Sequence, residues 1–349
     1  MNNILVTGGC GFIGSNFIRY LLEESDFHGR IVNIDKLTYA GNPENLAGIE
    51  GRFPGRYVFI LADICDREKL KVVFEDYKID TVCHFAAESH VDRSIVRPDD
   101  FIQTNIVGTF YLLETARERL PGIELFHHVS TDEVFGSLGS QGYFTEETPY
   151  RPNSPYAASK AASDHLVRAY HKTYNLPVII SNCSNNYGPC QFPEKLIPLM
   201  ILNALEGESL PIYGDGRNVR DWLYVRDHCI AIWKIMKKGR RGETYNIGGH
   251  NEIENIVLVE MLCDILDETL RQGRDKSCKK LISFIKDRPG HDRRYAMDFS
   301  KLRHELGWSP AESFESGIRK TITWYIDNMD WVKRVKSGEY KSWIKEQYG

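Results

Sequence analysis

Tyr156 and Lys160 stand four residues apart, a spacing that puts a phenol and an ammonium on one face of a helix. A phenol is a poor base at neutral pH, and a nearby ammonium favours its ionised form. Taken alone, a Tyr/Lys pair at this spacing is commonly just an exposed helix pair, so its meaning depends on its surroundings. Thr131, Asp132 and Glu133 offer a hydroxyl and two adjacent carboxyl groups, directly after Ser130. Such a triplet can be a turn with a helix cap. It can equally supply the separate acid and base that an elimination of water needs. Gly8, Gly11 and Gly14, in GGCGFIG, allow a tight turn and a close backbone approach, so that a helix amino terminus can face a pyrophosphate. Asp35 follows Gly14 by 21 residues, near the spacing of a carboxylate that binds an adenosine ribose.

Such residues must be positioned by regular elements, and the apolar pattern predicts them. Strands are expected over residues 3–7, 31–35, 57–61, 81–85, 125–130 and 178–182, with helices over 67–76, 101–119 and 156–174. A helical face of Phe12, Phe17, Ile18, Leu21 and Leu22 follows the glycine turn. Alternating strands and helices imply an α/β fold, a Rossmann-type doubly wound parallel sheet covered on both faces. After Tyr187 the pattern breaks into connections marked by Pro189, Pro193, Pro198 and Pro211, which predicts a smaller mixed α/β carboxyl-terminal substrate lobe. A return to the sheet is expected around residues 222–247. In this setting Asp35 would accept hydrogen bonds from the ribose hydroxyls and repel a 2′-phosphate, favouring NAD over NADP.

At 349 residues the chain exceeds what one core comfortably organises. Its 26% charged and 42% hydrophobic residues are those of a globular protein. A net charge of −4 and the lack of a long basic run argue against nucleic acid. No apolar stretch suits a membrane span, and a strand beginning near Ile4 leaves no room for a signal peptide, so the cytoplasm is expected. The eight cysteines form no C-x-x-C pair and have no histidine at ligand spacing, so no metal site is expected. His127 and His128 are adjacent and would point to opposite faces of a strand.

The glycine turn, Tyr156/Lys160 and Ser130/Thr131 together resemble the extended, nucleotide-sugar branch of the short-chain dehydrogenase/reductases. The Thr-Asp-Glu triplet resembles the active-site triplet of the dTDP-glucose 4,6-dehydratase family. DKLTYAGN, FAAESHVDRS, STDEVFG, NCSNNYGP, FPEKLIPLMI, RDWLYV, YNIGGHNE and DRPGHDRRYA are similar to that family's segments in the same order. Departures are Phe135, the Cys190-Gln191 step, and a longer basic stretch over residues 271–280.

The resemblance implies catalytic roles for Thr131, Asp132, Glu133, Tyr156 and Lys160. It implies NAD contacts at Gly8, Gly11, Phe12, Ile13, Gly14, Asp35, Lys36, Leu37, Thr38, Asp63, Ile64, Phe85, Ala86, Ala87, Ser89, Thr104, Tyr156, Lys160 and Asn186. For the sugar nucleotide it implies Ser89, Thr131, Asn185, Lys195, Leu196, Pro211, Ile212, Tyr213, Arg220, Asn255, Arg288, Pro289, Gly290, His291 and Asp292. Residues 1–184 plus about 222–249 would form the NAD-binding domain, and 185–221 plus 250–349 the nucleotide-sugar lobe. Oxidation at carbon 4 of dTDP-glucose, loss of water across carbons 5 and 6 and hydride return to carbon 6 would give a precursor for deoxysugars. A UDP-sugar 4,6-dehydratase or 4-epimerase of the same branch is the alternative, and an NAD-sensing regulator a further one that would have no use for Tyr156 and Lys160. Apolar residues on more than one side of helices 101–119 and 156–174 predict a homodimer joined by four helices.

Overall fold

The apolar, β-branched runs form the strands of the computed structural model, which describes residues 1–270 and 277–337. These are β1 (Asn3–Thr7), β2 (Arg30–Asp35), β3 (Tyr57–Leu61), β4 (Thr81–His84), β5 (Leu125–Thr131) and β6 (Val178–Cys183). The smaller strands are β7 (Asn185–Tyr187), β8 (Leu210–Tyr213), β9 (Val219–Tyr224), β10 (Thr244–Ile247), β11 (Glu252–Glu254) and β12 (Ile282–Ile285). One seven-stranded sheet runs β10-β6-β5-β4-β1-β2-β3, and all its pairs are parallel. The strand order reverses between β1 and β4, which opens a crevice at their carboxyl ends. Register brings Thr7 beside His84, and Thr131 beside Cys183, so the chemistry-bearing residues share that edge.

Alternation along buried strands feeds two cores. Ile4 and Val6 join Phe17, Ile18 and Leu21 of the helix Phe12–Glu23 and Ile232 and Ile235 of the helix Val225–Lys238. Leu302 and Trp308 pack in this core too. Leu5, Val32 and Ile34 face the other way, onto Phe74, Leu112, Leu113 and Val167. A separate core holds the helices Leu196–Glu206, Asn255–Thr269 and Phe314–Asp327, through residues such as Ile201, Leu262 and Ile318. No helix among the described residues is long and apolar enough to cross a membrane.

Two elements differ from expectation. The return to the sheet is made by β10 alone; β9 instead pairs with β7 and β11 in a three-stranded sheet. Periodicity identifies a strand but does not say which sheet it joins. The helix expected over residues 101–119 is broken into Pro98–Phe101, a wider π-helical stretch Ile102–Gly108, and Thr109–Glu118. Such widening is common at functional sites. Here it lets Asn105 grip the backbone of Glu88 from both sides, accepting from its N–H at 2.9 Å and donating to its carbonyl at 3.0 Å. The basic stretch over 271–280 lies largely outside the described residues.

Candidate active site

The turn after β1 is held open by glycine. Gly8 has φ +70°, and a Cβ there would lie 2.7 Å from the Ala86 backbone. At Gly14 a Cβ would lie 2.4 Å from the Gly8 carbonyl oxygen. The helix Phe12–Glu23 begins at Gly11 with no side-chain cap and no acidic residue in its first turn. Its leading N–H groups therefore remain available to an anion, as a dinucleotide pyrophosphate requires. Asp35 closes β2 and is locked in place, accepting from Cys10 N at 2.9 Å and Leu37 N at 2.8 Å. Burial pushes its pKa up, while these two amides and Lys36 hold it down. Lys36 is drawn toward Thr104, to whose Oγ1 it donates at 3.1 Å, and Asp63, 3.5 Å away. These residues fit NAD.

Among the proposed cofactor contacts, Gly8, Gly11, Phe12, Ile13, Gly14, Asp35, Lys36, Thr38, Ile64, Phe85, Ala86, Ala87, Ser89, Thr104, Tyr156, Lys160 and Asn186 line one cavity. Leu37 and Asp63 stand outside its lining. Asp63 Oδ1 accepts from Cys65 N, so it shapes its own turn. Ser89, Thr131, Asn185 and Lys195 line the same cavity from the substrate set.

The remaining substrate candidates sit on the second lobe. Leu196 opens the helix Leu196–Glu206, and Ile212 is a buried core residue of β8 between Pro211 and Tyr213. Tyr213 OH donates to Asp92 at 3.3 Å, and Arg288 Nη1 approaches the same carboxylate at 3.4 Å. Arg220 donates to the Asp292 carbonyl at 2.9 Å, and its guanidinium lies 4.3 Å from the Tyr295 ring centroid. Asp292 accepts from Asn153 and Tyr295. His291 contacts Asp287, and Pro289 precedes Gly290, which has φ +67°. Asn255 starts the helix Asn255–Thr269 with a buried, unpartnered Oδ1.

At the end of β5, Thr131 Oγ1 accepts from Glu133 N at 3.2 Å and donates to Asp132 at 3.3 Å. The turn reading of the triplet is thus structurally true, and the turn aims both carboxyl groups into the cavity lining. Their environments differ. Asp132 is 1% exposed with an unpartnered Oδ2. Its pKa is pushed well above the usual range by burial, then by the neighbouring Glu133 charge. Glu133 is raised by burial, but Arg288, Arg220 and Lys195 all oppose the rise. Burial and the Glu133 charge thus favour the protonated form of Asp132, while three cations favour the anion of Glu133, the direction of division that acid–base work by a pair requires. The second-lobe arginines reach the site through this charge.

Tyr156 behaves differently from expectation. Its pKa is raised well above 10, chiefly by burial and next by the Glu133 charge, with the Thr131 hydroxyl opposing. Lys160 Nζ donates one of its three protons to the Val129 carbonyl at 2.9 Å. In a buried site, desolvation outweighs the help a lysine one turn away gives.

The family model for GDP-mannose 4,6 dehydratase matches residues 5–321. A dTDP-glucose 4,6-dehydratase of Escherichia coli is 56% identical over 361 residues, covering 99% of this chain and 98% of the relative. The chain belongs to the dTDP-glucose 4,6-dehydratase family. The solved dTDP-glucose 4,6-dehydratase of Bacillus anthracis, in complex with NAD, matches with a TM-score of 0.86 and 48% identity, covering 96% of this chain and 100% of that one. That of Streptomyces venezuelae, with NAD and TYD bound, matches with a TM-score of 0.86 and 46% identity over 94% and 98%.

For a dehydratase of this family the sequence reading also passed over several lining residues. Cys183, Ser184, Phe192 and Glu194 face the cavity. Glu194 accepts from Tyr39 OH at 2.8 Å, and Arg93 lies 3.5 Å from the Tyr39 ring centroid. FPEK was in view as a segment, but nothing in its spacing joins Glu194 to Tyr39, far earlier in the chain.

Asp35 yields a direct test of cofactor contact. Asp35→Ala removes a charged acceptor, whose hydrogen bonds are each worth about 1.5–3 kcal/mol. NAD affinity of the cofactor-free protein is expected to fall about ten- to hundredfold, and the gap between NAD and NADP to narrow. Equilibrium titration with both cofactors reads this, and unchanged affinities would remove Asp35 from the ribose site.

Proposed function

We propose that this chain is an NAD-dependent hydro-lyase that converts dTDP-glucose into dTDP-4-keto-6-deoxy-glucose, a deoxysugar precursor. The observation that carries the reading is the pair Asp132 and Glu133 at the end of β5, lining one cavity with Tyr156, with Arg288, Arg220 and Lys195 opposing the upward pull of burial on Glu133. The relatives named above support the substrate and NAD. Bound NAD supplies the hydride acceptor for carbon 4, returns the hydride to carbon 6, and carries the positive ring that opposes the upward pull on Tyr156.

The chain's own groups move the protons. Tyr156, paired with the Thr131 hydroxyl, takes the proton of the 4-hydroxyl. The carbonyl formed at carbon 4 acidifies carbon 5, and Glu133 removes its proton. Asp132 gives its proton to the 6-hydroxyl, which leaves as water. Glu133 then reprotonates carbon 5. A 4-epimerase has no use for these two carboxyl groups. Arg220 and Arg288 are the natural guanidinium partners for the substrate diphosphate. Incubating the protein with dTDP-glucose and, separately, UDP-glucose tests the reading. A 4-keto product from the dTDP sugar supports it, and its absence overturns it.

A homodimer belongs to the same proposal. Ile102, Ile106 and Phe110 repeat at helical spacing on an open face, with Ile102 47% and Phe110 36% exposed. Ala158, Ala162, Leu166 and Ala169 form a matching open stripe on the helix Pro155–Tyr174. Apolar stripes on both helices support a two-fold, four-helix interface. Light scattering at micromolar concentration is expected to give twice the chain mass; a monomer would count against it. The free thiols of Cys10, Cys65, Cys83, Cys183, Cys190, Cys229 and Cys263 support a reducing compartment, the cytoplasm.

A further inference from the structure

Asp164 lies one turn beyond Lys160 on the helix Pro155–Tyr174, is fully buried, and has no part in the proton transfers above. A buried carboxylate is costly unless several donors hold it. Ser130 Oγ and Tyr150 OH donate to its Oδ2 at 2.9 and 2.8 Å, Asn182 Nδ2 approaches at 3.4 Å, and His128 Nε2 lies 3.1 Å from Oδ1. Two of these partners hold the catalytic end of β5. Ser130 precedes Thr131 directly, and Asn182 Nδ2 also donates to the Thr131 carbonyl at 3.1 Å.

We propose that Asp164 is a positioning residue for the oxidation at carbon 4, its carboxylate tying the end of β5 to the Tyr156–Lys160 helix. The inference rests on the proton transfer given to Tyr156 above, with Lys160 as the ammonium that favours its phenolate. The charged and titratable groups acting on Lys160 are His84 on β4, His128 on β5, Cys183 on β6 and Asp164 on its own helix. Burial drives Lys160 down, and Asp164 is the largest influence opposing it. Burial holds His128 at about 4, so it is neutral at neutral pH and adds no competing positive charge. Asp164 stays below the usual carboxylate range: burial would raise it, but His128, Lys160 and Ser130 overcome that. Removing the anion would let Lys160 lose its proton at lower pH.

The oxidation step can be read alone in the Glu133→Gln protein, where reduced cofactor should accumulate on mixing with dTDP-glucose. Adding Asp164→Asn is expected to slow that signal on the order of 10²-fold, as a small misplacement of reacting groups can. The high-pH limb of its profile should move to lower pH, with substrate affinity little changed. Asp164→Glu keeps the charge and should return the limb to its place even where the rate stays low. Tyr150→Phe removes one donor and no charge, and should slow the step about three- to tenfold with the limb unmoved. Unchanged rate and limb in Asp164→Asn overturn the proposal; if that variant does not fold, an unchanged rate in Tyr150→Phe does so. Should the Glu133→Gln parent itself turn over normally, the role of Glu133 fails instead. Asp164→Asn is then compared with the unmodified protein on overall turnover, with the same two changes expected.

Discussion

Glu133→Gln is expected to leave oxidation at carbon 4 working and to stop proton removal at carbon 5, lowering turnover about 10²–10⁴-fold. Mixed with dTDP-glucose, the variant should build up the near-ultraviolet absorbance of reduced cofactor, and solvent deuterium should scarcely enter carbon 5. The physical basis is the split between the two carboxyl groups. Arg288, Arg220 and Lys195 favour the Glu133 anion, while burial and the Glu133 charge keep Asp132 protonated. The pH dependence has a determined sign. Glu133 works as an anion, so activity is present above its raised pKa and is lost as pH falls through it. Asp132 works as an acid, so activity is present below its raised pKa and is lost as pH rises through it. The profile of kcat/KM for the free enzyme should therefore be bell-shaped. Asp132→Asn should lose the Asp132 contribution to that alkaline limb, leaving the one set by Lys160, keep the acid limb, and retain exchange at carbon 5 while departure of the 6-hydroxyl slows. Near-normal turnover of Glu133→Gln would return the triplet to a strand-end turn.

Tyr156→Phe should fail earlier. It removes the acceptor for the 4-hydroxyl proton, so the oxidation itself slows by about 10²–10⁴-fold and no reduced-cofactor absorbance appears. Tyr156 is 8% exposed and packs edge-on against Phe101, so loss of one hydroxyl leaves the packing in place. Substrate affinity measured by titration should change far less than turnover. A fast absorbance rise in Tyr156→Phe would give the first proton to another group, with Thr131 the next nearest candidate.

The sheet was legible because β1, β2, β4, β5 and β6 are largely buried on both faces, and the partly exposed edge strand β3 still reads as an apolar run. The glycine turn, Asp35, Tyr156 and Lys160 were legible because local spacing fixes their geometry. The network under the site was not. Asp164 is one more polar helix residue until folding brings Ser130, Tyr150, His128 and Asn182 around it. The raised Tyr156 pKa escaped notice for the same reason, since desolvation depends on tertiary packing and not on the lysine one turn away. The membership of β9 in a second sheet and the widened turn at Ile102–Gly108 likewise depend on long-range contacts that periodicity does not carry.

One active site is expected to oxidise carbon 4, eliminate water and return the same hydride to carbon 6. This is tested most directly by supplying dTDP-glucose deuterated at carbon 4 and locating the label in the product by NMR. The account predicts a 4-keto-6-deoxy sugar carrying the deuterium at carbon 6. Label retained at carbon 4 of an epimerised sugar, with the 6-hydroxyl intact, would contradict it.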